Sequence, residues 1–474
     1  MDVCGAERLV VDAAVGLQKL GHTVDIYTSY HNPKHCFEET RDGTLRVHVK
    51  PALFPRSLLG RFHIVLAHLA QLQLTLQLVL DNQFAEHDIF FVDQLSTCVP
   101  ILRDAGKRVV FYCHFPDKLL AAGEYVDDDS KRAPVQRPGR LKRLYRLPMD
   151  WLEEVTTRQA DVLLANSLFT VGVFKKHFPK ILKTPRVVYP GINGAQYAPL
   201  SQSELQAEDV QRVLSDRPTL LSINRIEGKK NLPLAVRAFA GVKASGEFPM
   251  LRLVIAGGHD PRLQDNRATL DQLLALCDSL QLTTTIVGSS QASHNVDVLF
   301  LLNFSATQRR ALLNSPNTRA LLYTPTNEHF GIGPVEGMRV GLPVLACRSG
   351  GPMESVHDPD PLSRSADATG YLRASNDKEW TRALFDILRM SDKDRQALSL
   401  RAKRRAETMF GLDTMAHGVE AALQQAVDLG PLHASNTHEL LFVLLVLTIV
   451  FGLTFALWLY ERYHRGTAAP RFRP

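Results

Sequence analysis

The run Asn327-Glu-His-Phe-Gly-Ile-Gly-Pro-Val-Glu-Gly337 sets Glu328 and Glu336 in a Glu-x7-Glu spacing. It follows the apolar stretch Ala320-Leu-Leu-Tyr323, which reads as a buried strand, and precedes Gly341, which reads as the stop of a short helix. Pro334 suits the first turn of that helix, because its missing N–H is not needed there. Glu328 is therefore expected in a loop and Glu336 in the first helical turn, both at the carboxyl edge of a sheet. Gly331 and Ile332 present backbone N–H groups at the helix N-terminus, where phosphate is favoured. A bland alternative stands beside this one: acids gather at helix starts simply because the dipole stabilises them.

A second constellation is cationic. Arg225 and Lys230 lie in Ser222-Ile-Asn-Arg-Ile-Glu-Gly-Lys-Lys-Asn231, after an expected strand and before an expected helix. Paired cations at that place can stabilise the charge that develops on a leaving diphosphate. As a bland alternative, the stretch is a solvated turn. In the first half, Val110-Phe-Tyr-Cys-His-Phe-Pro-Asp117 puts His114 just past a strand, where a structural histidine would also fit. Gly257 and Gly258 end another strand, and Gly350 and Gly351 in Ser349-Gly-Gly-Pro-Met-Glu354 permit close backbone approach.

The elements that must position these residues alternate between helix and strand. Glu7–Leu20 is amphipathic and stopped by Gly21, and Thr23–Tyr27 follows as a strand. Ile89–Val92, Val109–Tyr112 and Asp161–Ala165 read as short buried strands. Thr219–Ile223, Leu251–Ala256, Thr285–Val287, Ala320–Tyr323 and Pro343–Ala346 repeat the grammar, with Asn231–Phe239 as a helix. Such alternation predicts an α/β fold of two doubly wound, Rossmann-like domains facing a cleft, with ligands at the carboxyl ends of the strands. The expected division is 1–193, 194–428 including a return helix, and 429–474, with a Pro- and Gly-containing linker from Pro190 to Pro199.

The chain has 474 residues, 45% hydrophobic and 22% charged, with a formal net charge of +6. This excludes disordered and collagen-like classes, and nothing points to nucleic acid. Six scattered cysteines form no metal-spaced pair, which predicts reduced thiols and a cytosol-facing body. Asp127-Asp-Asp129 is flanked by Lys131 and Arg132 and reads as a solvated charge run, so no metal is expected. The basic stretch from Lys131 to Arg146 reads equally as a solvated loop or an anion-contacting surface. The chain opens on a polar turn, with no secretory leader expected. Leu440–Tyr460 is uncharged and long enough to span a membrane, with Trp458 and Tyr460 at its end. Phe62–Leu80 is apolar but carries two His and three Gln, which predicts a packed or interface-lying helix.

Together, the Glu-x7-Glu run and the Arg225/Lys230 turn resemble the retaining glycosyltransferases of family 4, whose fold is the GT-B type. Longer stretches narrow the match: Gly5-Ala-Glu-Arg-Leu-Val-Val-Asp12, Tyr30-His-Asn-Pro-Lys-His-Cys-Phe37, Phe111-Tyr-Cys-His-Phe-Pro-Asp-Lys118 and Leu322-Tyr-Thr-Pro-Thr-Asn-Glu-His-Phe-Gly331. These are similar to the eukaryotic α-1,3/1,6-mannosyltransferases of the dolichol-linked oligosaccharide pathway. The resemblance implies GDP-mannose as donor, with no further cofactor. It implies a dolichyl-diphosphate glycan as acceptor, which gains its second and third mannoses in N-glycan precursor assembly. It places Glu328 and His114 on the donor sugar, Arg225 and Lys230 on the diphosphate, and Glu336 on the ribose. Asn327, Phe330, Gly331, Ile332 and Gly257 then complete the donor site, and Gly5 and Glu7 lie on the acceptor side. It further implies the endoplasmic reticulum membrane, a cytosolic body, lipid contact, and other mannosyltransferases of the pathway as partners.

Three features depart from the family pattern. The first strand and its Gly-Gly turn are missing, with Cys4 in the turn; Gly333 replaces an apolar residue; Gly337 replaces Ala. The alternatives are an inactive, membrane-bound scaffold or a family 4 transferase using another nucleotide sugar. Arg462, Arg465, Arg471 and Arg473 follow the expected span, and positive charge prefers the cytoplasmic side. A single span would then put the body in the lumen, against the donor. Asn303-Phe-Ser305 is a glycosylation acceptor pattern that probes this question.

Overall fold

The computed structural model describes residues 5–33, 36–55, 57, 63–120, 140–287, 295–358 and 367–432, with Thr448 and Gly452. The expected span at 440–460 apart from those two residues, Asp127–Asp129 and most of the basic stretch lie outside them. Two compact units emerge: Met1–Val188 with Ala416–Pro474, and Tyr189–Met415. The division falls just before the expected linker boundary. The last helix, Leu412–Val427, returns to the first unit from Ala416 onward. Gly418 faces Val188, His22 Nε2 meets Glu420 at 2.8 Å, and Arg108 donates to the carbonyls of Leu429 and Gly430 at 2.9 and 2.8 Å.

Within the first unit, the Gly5–Lys19 helix leads into β1 (Asp25–Thr28), which pairs in parallel with β2 (Arg46–Val49). A separate parallel sheet contains β3 (Ile89–Asp93), β4 (Arg108–Cys113), β5 (Val162–Ala165) and β6 (Arg186–Val187), in that order. Among the described residues no ladder joins the two sheets. Val109, Phe111, Leu163, Phe174 and Phe178 fill one face of the larger sheet. The His63–Leu80 helix is, among the described residues, the one long and apolar enough to cross a membrane. Yet Val65 and Leu72 pack with Ile101, Met149 and Leu152. Two of its Gln residues bond within the unit: Gln73 links to the backbone of Leu53 and Pro51, and Gln71 donates to the Leu95 carbonyl.

Among the described residues, the second unit carries one parallel sheet of seven strands. They are β7 (Thr219–Ile223), β8 (Arg252–Gly257), β9 (Thr284–Ile286), β10 (Val298–Leu302), β11 (Thr318–Tyr323), β12 (Val344–Cys347) and β13 (Tyr371–Arg373). Their order is β13-β12-β11-β7-β8-β10-β9. Alternate residues feed two cores. Leu220, Leu253, Ile255, Ala320, Leu322 and Leu345 face the helices Leu232–Lys243 and Asp377–Leu388. Leu221, Val254, Ala256, Leu321, Tyr323 and Val344 face Ile332–Val340 and Asp392–Phe410. Strands buried on both faces explain why the sequence shows unbroken apolar runs here. Gly333 and Gly337 tighten this packing. A Cβ on Gly333 would lie 2.9 Å from the Tyr323 ring, and one on Gly337 would lie 2.7 Å from Leu321 and 2.8 Å from Val344.

Candidate active site

The strand order creates the site. From β7 the chain steps to β8 and on to β9 at the edge, comes back to β10 between them, then crosses to β11 on the other side of β7 and winds the opposite way through β12 and β13. β7 and β11 therefore flank the topological switch point, where loops part and leave a crevice. The loop after β7 carries Arg225 and Lys230, and the loop after β11 carries Glu328. Lys230 Nζ donates to Glu328 Oε1 although the two stand 98 residues apart. Both side chains are largely buried, at 15% and 23% exposed. The Thr324 hydroxyl fixes the Lys230 carbonyl at 2.6 Å. Asn231, in the left-handed region at φ 49°, turns the chain into the Leu232–Lys243 helix.

Arg225 sits on the same turn but points differently. Its side chain is 56% exposed and lies 3.6 Å from Glu227 Oε1. The turn is thus neither wholly solvated nor wholly a clamp: Lys230 is committed to a carboxylate, while Arg225 stays open to solvent. Gly257 is needed for a local reason. A Cβ there would stand 1.9 Å from the Asn224 carbonyl oxygen, so glycine lets β8 pass under the Arg225 turn.

The Glu328 loop is held by backbone. Asn327 at φ 54° and Gly331 at φ 80° bend it. The Asn327 N–H donates to Ser349 Oγ at 2.9 Å, and that hydroxyl donates back to Asn327 Oδ1 at 2.6 Å. The Gly351 N–H donates to the Glu328 carbonyl at 2.8 Å. Phe330 turns inward and is 4% exposed, against Tyr189 and Phe410 with ring centroids 5.7 and 5.6 Å away. It shapes the loop from beneath. Tyr189 in turn donates to Glu354 at 3.1 Å, and burial together with that carboxylate pushes its phenol up to about 12. Gly331 caps the Ile332–Val340 helix without a side-chain bond to its first turn, and Ile332 is 37% exposed at its start.

Glu336 departs from expectation. The helix begins at Ile332, so Glu336 is one turn in, beyond the reach of the helix-end charge. Side chains hold it instead: Tyr197 Oη donates to its Oε1 at 2.6 Å and Arg309 Nη1 at 3.0 Å. Tyr323 feels the charge of both acids. Its buried phenol is pushed well upward by burial, then by the charges of Glu328 and Glu336, so it stays a proton donor.

In the first unit His114 follows β4, and its Nε2 meets the carboxylate of Asp93, the last residue of β3. Asn166 Nδ2 donates to the His114 carbonyl at 2.9 Å. Glu153, from the Arg140–Gln159 helix, accepts from the N–H groups of Asp117 and Lys118 at 2.6 and 3.0 Å and so fixes the loop behind His114. Burial, then the Asp117 charge, pushes the Glu153 carboxyl up to about 7. Gly5 and Glu7 lie in the first turn of the Gly5–Lys19 helix.

Sequence reasoning passed over Asp93, Glu153, Tyr197, Arg309 and Tyr323. Asp93 was within reach, since it closes the Ile89–Val92 run at a carboxyl edge, as His114 closes its own. Tyr197 and Arg309 carry no local signal, because they meet Glu336 only across 139 and 27 residues of chain.

The descriptions "Glycosyltransferase Family 4" and "Glycosyl transferases group 1" match residues 3–196 and 204–405. Relatives named "Alpha-1,3/1,6-mannosyltransferase ALG2" include that of Rhizomucor pusillus, 42% identical over 89% of this chain and 89% of its own. Those of Candida glabrata and Saccharomyces cerevisiae are 37% and 35% identical, covering 95% and 90% of this chain and 95% and 83% of theirs. Among solved structures, sucrose-phosphate synthase from Thermosynechococcus elongatus has a TM-score of 0.65 at 16% identity, covering 90% of this chain and 95% of its own. A glycosyltransferase from Rickettsia africae has 0.62 at 15%, covering 91% and 98%. These neighbours share the GT-B type of fold. By the identity and the length it shares with them, this chain belongs to the ALG2 family of glycosyltransferases.

Proposed function

We propose that the chain is the retaining mannosyltransferase that adds the second and third mannoses, α-1,3 and α-1,6, to dolichyl-diphosphate-linked Man-GlcNAc2, with GDP-mannose as donor. The Lys230–Glu328 pair at the switch point of the second unit carries the reading. Glu328 takes the mannose; Lys230 and Arg225 take the diphosphate; Glu336 takes the ribose. The mannose C1–O bond to the diphosphate breaks, and the acceptor oxygen bonds C1 on the same face. The acceptor proton passes to the departing phosphate oxygen, giving GDP and an α-linked product. His114 is held by Asp93 at the carboxyl edge of the first unit's sheet. The ends of the reaction set its place: GDP-mannose is cytosolic and the acceptor is membrane-bound, so the body faces the cytosol on the endoplasmic reticulum, alongside other mannosyltransferases of the pathway.

The test uses the detergent-solubilised full chain with a lipid-diphosphate Man-GlcNAc2 acceptor. GDP-mannose should add two hexoses by mass, removable by α-mannosidases of matching linkage, and UDP-sugars should add none. Acceptor left unextended by GDP-mannose sinks the reading and favours the scaffold.

Topology has its own test. Asn303 should carry no glycan in cells, and protease added outside sealed vesicles should digest the body. Asn303 is exposed at the end of β10, yet its amide is occupied: Nδ2 donates to the His259 carbonyl at 2.8 Å and Oδ1 accepts the His259 N–H at 2.8 Å. A bare Asn303 therefore reports on folding as well as on side, and protease protection decides the side. A mobility shift on glycosidase treatment, lost in Asn303→Gln, would overturn the cytosolic assignment.

A further inference from the structure

We propose that Arg309 and Tyr197 are positioning residues that aim Glu336 at the 2′,3′-diol of the donor's ribose. The inference rests on the reading of Glu336 as the ribose acid and adds the machinery that makes it one. Glu336 is nearly buried, its side chain 8% exposed. A carboxylate taken out of water needs partners to keep its charge. Both partners use the same oxygen: Tyr197 Oη and Arg309 Nη1 converge on Oε1 at 2.6 and 3.0 Å. The guanidinium is thereby held end-on, not as a two-pronged fork across both oxygens. Oε2 has no hydrogen bond among the described residues.

A vicinal diol presents two O–H donors to one acceptor group, and an ionised carboxylate is acceptor-only. Glu336 can serve it only if its plane is fixed and its charge kept. The Arg309–Tyr197 contact fixes the plane, with Arg309 Cζ 5.2 Å from the centre of the Tyr197 ring. Arg309 Nε is buried and without an acceptor among the described residues, so the side chain has been placed for Glu336 and not for its own full satisfaction. The pair Arg309–Glu336 is neutral as a unit.

The experiment measures binding of GDP and 2′,3′-dideoxy-GDP to the full chain in detergent. The parent should favour GDP. Arg309→Met and the milder Tyr197→Phe should each weaken GDP on the order of 10-fold and leave the dideoxy nucleotide within about twofold. KM for GDP-mannose should rise with kcat nearly kept, and Arg309→Lys should restore part of the loss. Equal weakening of both nucleotides would overturn the proposal, placing Arg309 on another part of the nucleotide or on the fold. Glu336→Gln separates the two levels. If it fails to abolish the preference for the diol, the ribose reading of Glu336 is wrong and this proposal falls with it. If it abolishes the preference and Arg309→Met and Tyr197→Phe do not reduce it, only the positioning role is wrong.

Discussion

Lys230→Ala is expected to slow mannose transfer on the order of 10²-fold, the usual effect of removing one preorganised charge from a transition state. Lys230 is the cation that the fold commits to the switch point: it is 15% exposed, its carbonyl is pinned by Thr324, and its Nζ meets Glu328. When the diphosphate departs, this ammonium can answer the growing charge without reorganising. Arg225, 56% exposed, would have to be gathered in first, so Arg225→Ala should cost less. The comparison is made by single-turnover rates with saturating GDP-mannose. A Lys230→Ala variant that turns over within about threefold of the parent, on a scale where tenfold is 1.36 kcal/mol, removes Lys230 from the chemistry. The variant should remain folded, because Lys230 belongs to neither hydrophobic core of its unit, although it leaves Glu328 without its cation; circular dichroism checks this.

Gly351→Ala should have a comparable effect by a different route. A Cβ at Gly351 would stand 2.3 Å from both the Cα and the carbonyl oxygen of Phe330. Those are backbone atoms, and they cannot swing aside as a side-chain tip can. The cost should lie at or above the top of the ~1–3 kcal/mol range for overpacking. For a unit of this size that is a fall of about 6–12 °C in melting temperature. Transfer should fall with it, since the Gly351 N–H supports the Glu328 carbonyl at 2.8 Å. Gly258→Ala is the control. Its Cβ would meet only Arg225 Cγ at 3.9 Å, an ordinary contact, and its melting temperature should stay within about 1 °C of the parent's. Equal melting temperatures for the two variants would mean that the loop is not packed against Phe330 as described.

The sequence by itself determined the alternation of elements, because strands buried on both faces must be continuously apolar. Thr219–Ile223 stands as it was expected, and Leu251–Ala256 and Pro343–Ala346 appear one residue later as β8 and β12. The shorter strands β2, β6 and β13 escaped, since four residues or fewer at a sheet edge carry no period, and so did the interior β10, a five-residue apolar run too short to tell from a buried helix segment. The carboxyl-edge positions of Glu328, Lys230 and His114 were legible too, as polar residues that close apolar runs. Which of them meet was not. That Lys230 reaches Glu328 depends on β11 returning to lie beside β7 after three intervening strands, and strand order is a property of the whole sheet. Glu336 shows the limit most clearly. Its spacing marked it as a site, but the helix starts too early for its end to hold the acid. Only tertiary packing supplies Tyr197 and Arg309, because a buried carboxylate takes whichever partners the fold brings within about 3 Å, wherever they stand in the chain.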